Sequence, residues 1–224
     1  MAKRQTEDMV AYVHALSPQK KNKVFNLRIQ TQNSKSLVRA ICFDGDKHEK
    51  LTQAKLLGQP IKLQKIIKQT ETAEANYASL LINKETQVDL LETANVKFKR
   101  IEPEHHYIDL TDDPVVGELV AVKAKIDLSH GKEKTVNFNL KATKVLNKGI
   151  IYDEHGSMEL TLWEEWIDWI KDNVTNGHDY FNCKNLLVRE FNNVKYLSTC
   201  SDSDITVMDE DAPDVSYIEN DEVS

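Results

Sequence analysis

Residues 149–173 read Gly149-Ile150-Ile151-Tyr152-Asp153-Glu154-His155-Gly156-Ser157-Met158-Glu159-Leu160-Thr161-Leu162-Trp163-Glu164-Glu165-Trp166-Ile167-Asp168-Trp169-Ile170-Lys171-Asp172-Asn173. Gly149 to Asp153 has the β-branched and aromatic content of a strand, Glu154-His155-Gly156 is a tight turn, and Ser157 to Trp163 is a second strand. From Glu164 to Asn173 the pattern becomes helical. Trp166, Ile167 and Ile170 recur at i, i+1 and i+4 and predict one core-facing stripe. Asn176-Gly177 stops the helix. A strand hairpin that runs directly into a short helix is the feature from which the rest of the chain is read.

Downstream, Asp179 to Glu190 and Val194 to Val207 are two further strands, joined at Phe191-Asn192-Asn193. Upstream, Gly117 to Leu128 alternates through Leu119, Ala121, Lys123 and Lys125. Ser129 to Lys134 is a turn, and Thr135 to Leu146 either continues that bent strand or pairs with it. The first hundred residues repeat the order. Met9 to Ala15 is a strand, and Ser17 to Lys23 a polar turn. Val24 to Thr31 follows, with Phe25, Leu27 and Ile29 on one face and Asn26, Arg28 and Gln30 on the other. After a turn at 32–35, Ser36 to Phe43 is the third strand. Asp44-Gly45-Asp46 ends it, and Lys47 to Leu57 has helical composition. Gly58-Gln59-Pro60 resets the chain for Ile61 to Gln69. Residues 70–77 form a polar loop, and Ala78 to Leu91 supplies a last strand or hairpin.

Five strands with a helix after the third is the order of an OB barrel, and its recurrence indicates an internal duplication. The sequence therefore predicts an all-β chain of two tandem five-stranded OB barrels. The first spans residues 1–92 and the second 115–208. The stretch 93–114, with Pro103, Pro114 and many acids, reads as a linker, and 209–224 as a disordered acidic tail.

Charge separates along the same lines. Residues 1–100 carry a net +8, residues 101–200 a net −6, and residues 201–224 a net −9 with no basic residue. A basic first half within an acidic whole points that half toward a polyanion. No stretch has the ~18 uncharged apolar residues of a membrane span, and no membrane partner is expected. The three cysteines (Cys42, Cys183, Cys200) are far apart and form no CxxC pair, so neither a disulfide framework nor a zinc ribbon is expected, and a reducing compartment fits. Cys42 reads as a small buried hydrophobe. No cofactor is implied, and His105-His106 has no third ligand spaced to hold a metal. No GxxxxGK[ST], HExxH or GxSxG segment occurs, and the chain reads as a non-enzyme.

With those segments in view, residues 115–207 resemble a DNA-binding OB domain of the large subunit of replication protein A, the eukaryotic single-strand-binding complex. The resemblance rests on Ile151-Tyr152-Asp153-Glu154-His155-Gly156-Ser157, on Leu160-Thr161-Leu162-Trp163-Glu164-Glu165, on Leu186-Leu187-Val188-Arg189-Glu190-Phe191, and on Lys195-Tyr196-Leu197-Ser198-Thr199. Val38-Arg39-Ala40-Ile41-Cys42-Phe43 is the weaker counterpart in the first half. The chain has nothing matching that subunit's zinc-bearing domain, so the likeness is at the level of the domain. The resemblance implies a stacking aromatic at the end of the third strand, which falls on Trp163 and Phe43, and another between the fourth and fifth strands, which falls on Phe191. For the first barrel's loop only Tyr77 is available. The family's basic strand position matches Arg39. Nuclear localisation and a place in DNA replication or repair follow from the resemblance alone.

Single-strand binding asks for these residue types. Flat aromatic platforms take bases at roughly 1–3 kcal/mol each, and Lys and Arg along the same groove take phosphates. In the first barrel the candidates are Arg28 and Arg39, Lys20, Lys21 and Lys23 in the first turn, and Lys62 and Lys65 on the fourth strand. In the second they are Lys132, Lys134, Arg189 and Lys195. By spacing alone Trp163 and Phe43 read more readily as core aromatics, and it is the resemblance that turns Trp163 toward the groove and evens the two readings for Phe43. The lysine turn reads equally as a solvated loop, and Trp166 as core. Two readings of function follow. One is sequence-tolerant binding of single-stranded DNA, with RNA second. The other is an OB-fold subunit that holds partner proteins of a genome-maintenance complex, favoured by the acidic second half. The acidic tail either solubilises the chain, docks a basic partner, or competes with nucleic acid for the basic groove.

Overall fold

The computed structural model describes residues 6–32, 36–68, 80–129, 131–139 and 142–208. The chain divides into two compact units, residues 1–103 and 104–224. Tyr77 and the expected disordered tail at 209–224 lie outside the described residues.

In the first unit, β1 (Thr6–Leu16), β2 (Phe25–Thr31) and β3 (Val38–Cys42) lead through a 3-10 turn (Gly45–Lys47) into α1 (His48–Leu56). β4 (Ile61–Lys68), β5 (Leu80–Ile82) and β6 (Gln87–Leu90) follow. The strand order is β1-β2-β3-β5-β4, and β4 pairs back onto β1, closing a five-stranded barrel; β6 extends β4. β3 and β5 run parallel, with Ala40 opposite Leu80. Alternation dictates the interior. Phe25, Leu27 and Ile29 are buried, as are Val13, Ala40, Cys42, Leu63, Ile66 and Ile82. α1 adds Leu51 and Ala54 to the same core. Each fully buried Phe or Leu side chain contributes roughly 1.5–3 kcal/mol. Burial pushes the Cys42 thiol up to about 11, so it behaves as a small hydrophobe. Gly45 is required by close approach. A Cβ there would lie 2.8 Å from Lys23 Cβ and 2.9 Å from Gln19 Oε1, so the β1–β2 turn is fitted against the exit of β3.

The second unit repeats the topology with additions. Its strands are β7 (Leu119–Asp127), β8 (Lys134–Asn139), β9 (Ala142–Tyr152) and β10 (Ser157–Trp163). Then come α2 (Glu165–Thr175), β11 (Tyr180–Phe191), β12 (Val194–Ser198) and β13 (Asp204–Val207). β7-β9-β10-β12-β11 closes the barrel; β8 is added outside β9, and β13 pairs β11. Again the third and fifth members, β10 and β12, run parallel, with Leu160 opposite Leu197. The helix stripe is as expected: Trp166, Ile167 and Ile170 are buried beside Leu160, Leu162, Phe181 and Val188. Trp169 packs edge-on against Trp166 at 5.6 Å between ring centroids.

Two expected strands are one. Thr135–Leu146 and Gly149–Asp153 do not mark the boundaries, because Ala142 to Tyr152 runs unbroken as β9. β9 serves three neighbours at once, pairing β8 at its start, β10 from Leu146 onward and β7 at its end. Gly149 permits this, since a Cβ there would sit 2.6 Å from the Asp127 carbonyl oxygen. Val194 to Val207, conversely, is split by a turn at Cys200–Ser203 into β12 and β13.

The stretch 93–114 is built into both units. Phe98 packs edge-on against Tyr12 at 5.3 Å. The Gln30 amide donates through Nε2 to the Lys99 carbonyl (2.8 Å) and accepts at Oε1 from the Ile101 N–H (2.9 Å). The acceptor Oε1 also meets His14 Nε2 at 3.2 Å, which places the imidazole proton on Nε2. Burial holds His14 below the usual histidine range, and its Nδ1 has no hydrogen-bond partner among the described residues. In the second unit Ile108 and Leu110 join the core, and Tyr107 bridges Ala121 of β7. A polar stretch hides these residues, because what they pack against depends on strand positions that must be known first.

Candidate nucleic-acid interface

In the first unit the outer face of β2 and β3 carries Arg28 and Arg39, directly opposite each other across the antiparallel pair. Since Leu27, Ile29 and Ala40 point inward, period-2 alternation sends both guanidinium-bearing side chains outward. Ile41 follows Arg39 on the same face, and Phe43 continues the line just past β3, where its N–H bonds the Ile82 carbonyl at 2.8 Å. Phe43 is 49% exposed. A large aromatic beyond the barrel's rim has little core to join, which removes the core reading for it. The β1–β2 turn meets this end through Gln19, whose Nε2 donates to the Gly45 carbonyl at 2.7 Å. It brings Lys20, Lys21 and Lys23 to the exit of β3. Lys23 is spoken for in part by Asp46, 3.5 Å away, and Lys47 pairs with Asp44, whose carboxyl it holds below the usual range.

Lys62 and Lys65 stand elsewhere. β4 is two strands from both β2 and β3 in the closed barrel, so these lysines lie on the opposite wall. Lys62 faces Val10 and Asp89 across the pairings. Lys65 sits at a bulge with φ of +60°, its N–H donating to Asp8 Oδ1 at 3.0 Å. That bond, with one from Gln64, holds the Asp8 carboxyl below its ordinary value.

In the second unit the outer face of β10, β12 and β11 collects the expected residues. Trp163 ends β10, its backbone N–H donating to Thr199 Oγ1 and its indole N–H to Ser198 Oγ, both at 3.0 Å. The next residue, Glu164, has φ of +48° and ψ of −113°, a strained turn that starts α2. Trp163 is thus part-buried and fixed in place. Leu197 is in the core, so its neighbours Ser198 and Tyr196 face outward, and Val194 with them. Opposite, Val188 is in the core, and Arg189 and Phe191 face outward; Arg189 pairs with Tyr196, and Phe191 with Val194.

Asn192 and Asn193 have φ of +52° and +62°, the two-residue type I′ geometry whose twist matches the strands. Phe191 is therefore a hairpin residue, 69% exposed, presented by regular backbone. Lys195 falls on the other face. It stands opposite Glu190 and is ion-paired with Asp113, so it adds no charge beside Trp163.

On the far side of Trp163, Leu146 stands directly opposite it on β9, and Lys134 opposite Leu146 on β8. Lys144 and Lys148 flank Leu146 on the same face, Lys148 with Glu159 at 2.7 Å. Lys134 was an expected site residue. Lys144 was missed, and its place follows from the alternation only once β9 is known to be continuous. Lys132 lies just before β8, outside this row.

No family model matches the chain, and no curated protein does. Solved structures do. A replication protein A heterotrimer bound to ssDNA is similar over 95% of this chain and 50% of its own, at 14% identity and a TM-score of 0.65. The chain thus spans half the length of that match. A p204 HINb domain is similar over 93% of this chain and all of its own, at 12% identity and a TM-score of 0.46. The OB domain of Ta0387 from Thermoplasma acidophilum covers 50% of this chain and 94% of its own, at 18% identity and a TM-score of 0.37. The first of these, at such low identity, speaks to fold. With both barrels closed in the order first-second-third-fifth-fourth, and each with its helix between the third and fourth strands, the chain is a tandem OB-fold protein.

Proposed function

We propose that this chain is a non-enzymatic, sequence-tolerant binder of single-stranded DNA that takes bases on ring platforms and phosphates on Lys and Arg. The observation that carries the reading is the outer face of β10, β12 and β11. There Trp163, locked by Ser198 and Thr199, and Phe191, held out by a type I′ turn, share one surface with Arg189. In the first unit Phe43 shares a face with Arg28 and Arg39. Exposed rings beside cations are what a single strand requires, because its bases offer apolar faces that a duplex hides. The replication protein A structure to which the fold is similar is bound to ssDNA, in keeping with the single-strand reading; a nuclear role in DNA replication or repair is part of this proposal.

The test is fluorescence anisotropy with a labelled 25-nucleotide strand, the matching duplex and the RNA equivalent, over a salt series. The reading requires preference for single-stranded DNA and a log–log salt slope of about −0.7 per phosphate contacted.

A second reading has its own observation. The second unit is acidic, and its Lys195 is neutralised by Asp113 and its Lys171 by Glu133. An OB-fold subunit that chiefly binds partner proteins would show no oligonucleotide binding at low salt and would be recovered with a partner.

A further inference from the structure

On β12, Val194, Tyr196 and Ser198 stand two residues apart on one face. Each marks a rung. Trp163 lies at Ser198 through its indole hydrogen bond, Tyr196 occupies its own position, and Phe191 lies opposite Val194. Strand geometry spaces these rungs about 6.7 Å apart. We infer that Tyr196 is a third base-stacking ring, the middle rung of a platform that runs Trp163, Tyr196, Phe191, with Arg189 directly across from it for a phosphate. This rests on the single-strand reading above and extends it to a residue that the sequence did not single out as a binding residue.

Three features carry the assignment. The ring has no place in the core, because Leu197 beside it fills the inward position completely while Tyr196 is only part-buried. Its cross-strand neighbour Arg189 is exposed and lies on the same face, as does every other residue assigned to this site on β11. The spacing also suits a pulled-out strand. Bases in a duplex stack at 3.4 Å, about half the distance between rungs, so rings set ~6.7 Å apart accept bases from a strand stretched to about twice that repeat. A rigid duplex has no such freedom, which makes Tyr196 a residue that favours single strands.

The experiment measures binding of a labelled 25-nucleotide deoxythymidine strand by anisotropy, for the full chain and for Tyr196→Leu, Tyr196→Phe and Trp163→Ala, with thermal melts confirming that each is folded. A strand carrying 5-iodouracil is crosslinked to the unmutated chain and the adducts are mapped. We expect Tyr196→Leu to bind about tenfold more weakly, equivalent to about 1.4 kcal/mol, with an unchanged salt slope. Tyr196→Phe should rescue most of that loss, and an adduct should fall on Tyr196. The assignment is overturned if Tyr196→Leu binds as the unmutated chain does while Trp163→Ala is weakened, or if adducts form at Trp163 and Phe191 and none at Tyr196. Failure of the unmutated chain to bind the strand at all would instead sink the single-strand reading, and this one with it.

Discussion

Arg28 of β2 and Arg39 of β3 face each other across one antiparallel rung, so two guanidinium-bearing side chains leave the first barrel side by side. On the proposed reading this pair lies under the phosphates of the bound strand. Removing both by Arg28→Ala and Arg39→Ala should make the salt slope for single-stranded DNA shallower by about 1.4, at about 0.7 per phosphate contact. Kd measured at four or five salt concentrations checks this. Lys62→Ala and Lys65→Ala, on the far wall of the barrel, should leave the slope where it was.

The rings of the second barrel should act on affinity and leave the slope alone. Trp163→Ala and Phe191→Ala should each cost roughly 1–3 kcal/mol of binding, read by anisotropy at a single salt concentration. Phe191→Ala should leave the melting temperature unchanged, because that side chain is 69% exposed. Ser198→Ala, which releases the indole N–H, should weaken binding less than Trp163→Ala does.

Stability should fall as the solution is acidified. The His14 imidazole is held below its ordinary value of 6.5 by burial. Above pH 6.5 it is neutral in both folded and unfolded chains. Below that pH the unfolded chain takes up a proton that the folded one refuses, so unfolding becomes easier until the folded-state pKa is reached. His105 is shifted in the same direction by desolvation. Urea midpoints at pH 7.5, 6.5 and 5.5 should decline in that order, and His14→Gln should flatten the decline without abolishing it.

The Asn192-Asn193 turn can be tested without nucleic acid. Both residues have positive φ, so Asn193→Gly should be neutral or mildly stabilising. Asn193→Val should cost about 1–2 kcal/mol, because a β-branched side chain is strained there. Denaturant titration distinguishes the two, and Asn193→Val should also weaken DNA binding by disturbing Phe191.

Much of this was legible in the residues alone. Phe25, Leu27 and Ile29 mark β2 by strict alternation, and Trp166, Ile167 and Ile170 mark α2 by helical spacing, because each pattern is local. Trp163 and Phe191 were found from short motifs, and the structure brings them onto one face. What could not be read was anything that depends on pairing between distant strands. Lys195 looked like a groove cation until its rung opposite Glu190 placed it on the other face with Asp113. Lys62 and Lys65 stood with Arg39 as groove candidates until barrel closure put β5 between their strand and β3. Lys144 and Tyr196 carry no local sign at all, since their meaning comes from the register of β9 and β12.

The covering of Tyr12, His14 and Gln30 by residues 98–101 bears on how the chain tolerates cutting. A fragment that stops at residue 92, where the last strand-like sequence ends, would bare an aromatic ring, an imidazole and an amide that had lost its main-chain partners. Such a fragment would be prone to self-association even though its barrel is intact, whereas one that runs to Pro103 would keep its own cover. A protease acting between Glu92 and Phe98, where Glu92 to Asn95 are exposed, would lead to the same outcome, so nicking there ought to turn the first unit self-associating.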